Sequence, residues 1–164
     1  MIPPAEVVPY DDRWPAWFDE LRASLDRLLA GLPAEIEHVG STAVPGLAAK
    51  PIIDVDVVVP TAEQVPTAVA ALAAGGYEHE GDLGIAGREA FRMPVDAVRY
   101  HHLYVVVAGN KAHRDHLVLR DRLRTDPEAL ARYAELKREL APLLRVDRSA
   151  YVDGKGALIE ELLS

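Results

Sequence analysis

The chain has 164 residues, 49% hydrophobic and 27% charged, with a formal net charge of -8 and no cysteine. That composition is globular. It excludes disulfides, thiolate chemistry and Cys-ligated zinc, and the negative charge argues against broad nucleic-acid binding, which needs many Lys and Arg contacts to phosphate. A domain of about 150 residues buries roughly 70% of its unfolded surface, so one domain with its own core is expected over residues 1–164.

The start, "MIPPAEVVPY", lacks the basic residues and apolar run of a signal peptide. The Ala-rich "AVAALAAGG" is far short of the roughly 20 residues that span a bilayer, so a cytoplasmic protein with no membrane contact is expected. Trp14, Trp17, Phe18, Leu21, Leu25, Leu28 and Leu29 recur at three- and four-residue spacing, which predicts an amphipathic helix. Asp11 or Asp12 is its expected N-cap, and Gly31 with Pro33 ends it. "EIEHV" reads as a short strand, "GSTAVPGLAAK" as a turn with a short helical turn, and "PIIDVDVVV" as a strand rich in β-branched residues.

Thr61 opens a second helix that runs to Ala74 and stops at Gly75-Gly76. Strands are expected at Glu89–Met93 and Val98–Val107. From Ala112 onward the pattern is helical, through "HRDHLVLRDRLR", "PEALARYAELKRELA" and "RSAYVDGKGALIEELL". The fold class is therefore α+β, a mixed sheet packed against helices with a helical C-terminal part. Basic residues are sparse before Arg88 and frequent after it, so a cationic wall can exist on an acidic chain.

Asp54 and Asp56 pose the chemical question. Alternation puts both carboxylates on one face of the strand, about 6.6 Å apart at roughly 3.3 Å per residue. Two like charges on a largely buried strand cost several kcal/mol unless compensated, about the scale of burying unpaired charge. A divalent cation, Mg²⁺ or Mn²⁺, supplies that compensation, particularly where ligand phosphates complete its shell. Upstream, Gly40 permits close backbone approach, and Ser41 and Thr42 add hydroxyls and N–H groups in an anion-binding arrangement. The plainer reading makes the aspartates edge-strand surface residues and Ser41 a helix cap.

"HVGST" followed by "IIDVDVVV" resembles the signature of the nucleotidyltransferase superfamily, in which a Gly-Ser turn and an Asp-x-Asp strand hold nucleotide phosphates and metal ions. The fuller likeness is to the GrpB family, also called UPF0157, whose domain occurs fused to some bacterial dephospho-CoA kinases. It is carried by "PYDDRWPAWF", "EHVGSTAVPGLAAKPIIDVDVVV", "GGYE", "HHLYVV", "LRDRLRTDPEALARYAELKRELA" and "AYVDGKGALIEELL", nearly the whole chain. The resemblance implies a nucleotidyltransferase-like fold.

Such enzymes carry a third carboxylate on a neighbouring strand, and "VRYHHLYVVV" contains none. The family pattern there is His-Leu-His. His102 matches the first histidine and Tyr104 replaces the second. His102 is thus a candidate metal ligand or general base, or else a core histidine. Glu89 and Asp96 could supply the carboxylate if the fold brings them close. His38 is a weaker candidate. Lys50 could meet phosphate or pair with an aspartate.

Arg120 and Arg124 share a helical face at i and i+4, as do Tyr133 and Lys137, and Tyr151 and Lys155. The family likeness moves Arg120, Arg124 and Lys155 toward ligand binding, since Arg forks suit phosphate. The expected function is metal-assisted binding of a nucleotide or other phosphorylated small molecule, with nucleotidyl transfer to an acceptor. A catalytically silent binding or folding-assistance module and a metal-dependent phosphohydrolase are the alternatives.

Overall fold

A computed structural model describes residues 1–164. Helix α1 is Trp14–Leu28, followed by β1 (Glu35–Val39), β2 (Ile53–Val59), α2 (Val65–Ala74), β3 (Glu78–Gly81), β4 (Arg88–Arg92) and β5 (His101–Val107). The rest is helical: α3 (Lys111–Thr125), α4 (Pro127–Leu140), α5 (Arg148–Gly154) and α6 (Gly156–Leu163). The strands form one sheet in the order β1-β2-β5-β4-β3, in which only β2 and β5 are parallel. This is the α+β architecture the sequence pattern predicts. No helix is long and apolar enough to cross a membrane.

The two faces of β2 explain the layers. Ile53, Val55, Val57 and Val59 are buried on one face against Trp14, Phe18 and Leu25 of α1, Ala68 and Leu72 of α2, and Leu103 and Val105 of β5. Each fully buried large side chain there contributes about 1.5–3 kcal/mol. The other face carries Asp54 and Asp56, in register with His102 and Tyr104 of β5. It is partly covered by α3, where Ala112 packs on Val58 and Val106. The C-terminal helices anchor beside it as Leu123, Ala129, Tyr133 and Leu162 close on Val44 and Leu47 of the segment after β1.

Several boundaries differ from expectation. The α1 N-cap is Arg13. Asp11 accepts from the Arg13 backbone and pairs with its guanidinium, which stiffens the entry without capping the first turn. Thr61 does begin a capping box with Gln64, but the first turn is 3-10 (Ala62–Gln64) before α2. β5 starts at His101, and Val98 lies exposed in the preceding loop. β3, "EHEG", has no apolar alternation, and the sequence pattern predicts no strand there; it exists because β4 pairs with it. The last helical stretch breaks at Lys155, which ends α5 and begins α6.

Candidate functional site

Gly40 holds φ +74 and ψ -173, a region open essentially to glycine alone. Val39 is opposite Asp54 in the β1–β2 ladder, so the next residue passes directly over the carboxylate. A Cβ at Gly40 would lie 2.2 Å from Asp54 Oδ2 and 2.9 Å from its Cγ. The glycine therefore makes room for the aspartate itself. Beyond it, Ser41–Ala43 forms a 3-10 turn. The Thr42 hydroxyl donates to the Ile52 carbonyl at 3.1 Å and so accepts from His38 Nε2 at 2.9 Å. Thr42 and His38 are thereby committed to fixing the turn. Burial holds His38 down to about 4, and its ring stacks on Phe18, so this histidine is neutral and structural.

Each aspartate is engaged by a histidine. An ionised carboxylate only accepts, so His102 Nδ1 donates to Asp54 Oδ1 at 2.9 Å, leaving Nε2 as the only ring nitrogen open to a metal or substrate. His116 Nδ1 of α3 donates to Asp56 Oδ2 at 2.8 Å. Burial lowers the His116 pKa, but the Asp56 hydrogen bond and the charges of Asp56 and Asp54 outweigh it, so the group titrates above the ordinary histidine value. Asp56 is 0% exposed, and its Oδ1 is buried with no hydrogen-bond partner. These histidines offset the like-charge repulsion in the free protein.

Sequence reasoning missed His116, and it missed Glu37. Glu37 sits opposite Asp56 on β1, so a third carboxylate does lie on a neighbouring strand and the same face. Its Oε2 is buried without a hydrogen bond, 3.7 Å from His113 Nε2 and 3.8 Å from Arg120. The signals were present: Glu37 occupies an in-phase position of "EIEHV", and His113, His116 and Arg120 recur at i, i+3 and i+7 on one face of α3. Glu89 instead pairs with His79 at 2.7 Å, and Asp96 is exposed in the loop before β5. Neither reaches the aspartates.

Beside Asp54 opens a cleft of about 290 Å³, lined by Gly40, Ser41 and Thr42 of the turn, by Lys50, Lys137, Arg148, Tyr151 and Lys155, and by His102, Tyr104 and His116. None of these four cations forms an ion pair; Lys137 donates to the Ala48 carbonyl at 2.9 Å. The Lys50 and Lys155 ammoniums lie over the Tyr151 ring, at 5.5 and 4.7 Å from its centroid. Burial, then the neighbouring cations, hold Lys50 down to about 8 and Lys137 to about 7. Burial lowers Lys155 also. Each of these lysines lacks a carboxylate partner, so its charged form is disfavoured by burial and by its neighbours.

Of the expected phosphate contacts, Lys50 and Lys155 are brought together here and Arg120 and Arg124 are not. Arg120 Nη1 donates to the His38 carbonyl at 3.2 Å, and Arg124 Nε to the Ala43 carbonyl at 2.8 Å, so both brace α3 against the turn. Lys137 and Arg148 take wall positions that the sequence did not assign.

The donor chemistry suits a hard cation in part. Two carboxylates share a face and Asp56 Oδ1 is unpartnered, which suits an ion completed by ligand phosphates. No group of three His, Cys, Asp or Glu side chains is arranged to hold a metal, so Asp54, Asp56 and His102 are not a preformed triad.

The family model described as GrpB protein matches residues 4–164. The chain belongs to the GrpB family. It is 36% identical over 155 residues to the UPF0157 protein YqkA of Bacillus subtilis, covering 94% of this chain but only 45% of YqkA. The crystal structure of the GrpB protein from Enterococcus faecalis matches with a TM-score of 0.82 at 33% identity, over 96% of this GrpB chain and 94% of that one. Structures of the Cid1 poly(U) polymerase overlap more loosely, with a TM-score of 0.48 and 19% identity over 79% of this chain and 45% of that one.

Proposed function

We propose that this cleft binds the phosphates of a nucleotide together with a divalent cation. The observation that carries the reading is the meeting of Lys50, Lys137, Arg148 and Lys155, none with an ion-pair partner, in one cleft with a carboxylate that abuts the Gly-Ser-Thr turn. Anionic phosphates satisfy the cations, and a metal reconciles those phosphates with the aspartates. Asp54 and Asp56 would hold Mg²⁺ or Mn²⁺, with His102 beside them. Bound there, the ion would neutralise phosphate charge and stabilise the attacking and leaving oxygens of a nucleotidyl transfer. The chain's own part is to fix Asp54 through His102, keep Gly40 bare so that Asp54 can lie against the turn, and present lysines whose charged forms a phosphate would stabilise.

A second reading, a binding module without transfer, is favoured by one observation: Asp56 is wholly buried and clamped by His116. A thermal-shift screen of nucleoside mono-, di- and triphosphates with and without Mg²⁺, followed by a product assay on the hits, separates the two. Metal-dependent stabilisation with product formation supports transfer. Stabilisation without product supports the module, and no stabilisation by any nucleotide refutes both.

A further inference from the structure

A second cleft, of about 520 Å³, lies on the other side of His102 and Tyr104. The sheet order explains the arrangement. β5 runs between β2 and β4, so the side chains of His102 and Tyr104 form a ridge with the cationic cleft toward β2 and this one toward β4 and β3. Its walls differ in character: Leu83, Met93, Pro94, Val95 and Tyr100 supply apolar and aromatic surface, and Leu83 is 60% exposed. The charged residues at its edge, Glu80 and Arg92, neutralise each other at 3.2 Å. A site so lined has no unpaired Lys or Arg for a polyphosphate and suits an uncharged, apolar-bodied compound of small-molecule size, since such pockets run from about 300 to 1,000 Å³.

Building on the nucleotide reading above, we propose that this cleft is the acceptor site and takes an alcohol with an aromatic or aliphatic body. The hydroxyl would lie at the His102–Tyr104 ridge and the body against Tyr100, Met93 and Leu83. In the transfer, the hydroxyl oxygen bonds to the α-phosphorus of a nucleoside triphosphate. The bond from that phosphorus to the α–β bridging oxygen breaks, pyrophosphate departs with the electron pair, and the hydroxyl proton passes to solvent. The ridge lets the two halves of the reaction meet while each cleft keeps its own ligand.

The chain supplies its own reporter, because it has two methionines and both Met1 and Met93 line this cleft. Protein labelled with ¹³C at the methionine methyls is titrated with 2-phenylethanol, and nucleotide affinity is measured by calorimetry on the same samples. Saturable shifts of the Met93 signal are expected. Met93→Trp, read from the remaining Met1 signal, is expected to weaken the alcohol by about tenfold or more while nucleotide affinity is unchanged, tenfold being 1.4 kcal/mol. Leu83→Asp, at an exposed position, gives the same readout if the tryptophan variant does not fold. An unmoved Met93 signal, or unchanged alcohol affinity in Leu83→Asp, overturns the acceptor cleft alone. Absence of nucleotide binding in the wild type overturns the parent reading and the acceptor role with it.

Discussion

Replacing Gly40 with alanine isolates the contact on which the site's geometry rests. The substitution has two separable costs. The backbone at φ +74 and ψ -173 is essentially glycine-only, and strained conformations of that kind cost about 1–3 kcal/mol. The added Cβ would also lie 2.2 Å from Asp54 Oδ2 and 2.9 Å from Cγ, so the carboxylate must swing away and abandon its 2.9 Å bond to His102. A hydrogen bond to a charged group is worth about 1.5–3 kcal/mol, so the total destabilisation should be about 2–5 kcal/mol once partial relaxation is allowed. Urea unfolding of Gly40→Ala, Asp54→Ala and the double variant reads both parts. Because Asp54→Ala removes the two nearest colliding atoms and leaves only Cβ, at 3.0 Å, the double variant should recover most of the steric share and retain the backbone share, a clear non-additivity. Additive costs, or a single variant as stable as wild type, would refute the reasoning.

Lys137 is 3% exposed and held at about 7, against 10.5 for an ordinary lysine, so between those values the unfolded chain carries more protons and stability should rise with pH. Lys137→Met should reduce that rise in urea titrations compared at pH 7 and pH 9, leaving the part that Lys50 and Lys155 contribute. Pyrophosphate binding should weaken over the same interval, by roughly tenfold from Lys50 alone, and should take up protons, as calorimetry in buffers of different ionisation enthalpy will register. Asp56→Asn removes the partner that holds His116 up, leaving burial to dominate, so NMR titration should find the His116 pKa below 6.5. Arg124→Ala should cost about 1–3 kcal/mol of stability through the lost Ala43 contact, with a smaller effect on nucleotide affinity than Lys155→Ala, because Arg124 braces the turn from outside the cleft.

What was legible in the sequence was whatever local pattern dictates. The three- and four-residue spacing from Trp14 to Leu29 gave α1. β-Branched alternation gave β2 and the shared face of Asp54 and Asp56, and the Gly-Ser-Thr turn lies beside them as the motif implies. What was not legible depends on which strands become neighbours. Glu37 becomes the carboxylate opposite Asp56 only through the antiparallel β1–β2 ladder. His116 reaches Asp56 across sixty residues because α3 lies over that face. Arg120 and Arg124 carry the pattern of anion ligands, but the turn's carbonyls claim them first. Lys137 joins the cleft because α4 packs on Val44 and Leu47.

Calorimetric titration of a non-hydrolysable nucleoside triphosphate, with and without Mg²⁺, into wild type and Asp54→Asn tests the central claim most directly. Wild type should bind the triphosphate more tightly with Mg²⁺, and Asp54→Asn should lose that metal-dependent gain while keeping the metal-free affinity that the lysines supply. An undiminished Mg²⁺ effect in Asp54→Asn, or no triphosphate binding to either protein, would contradict the account.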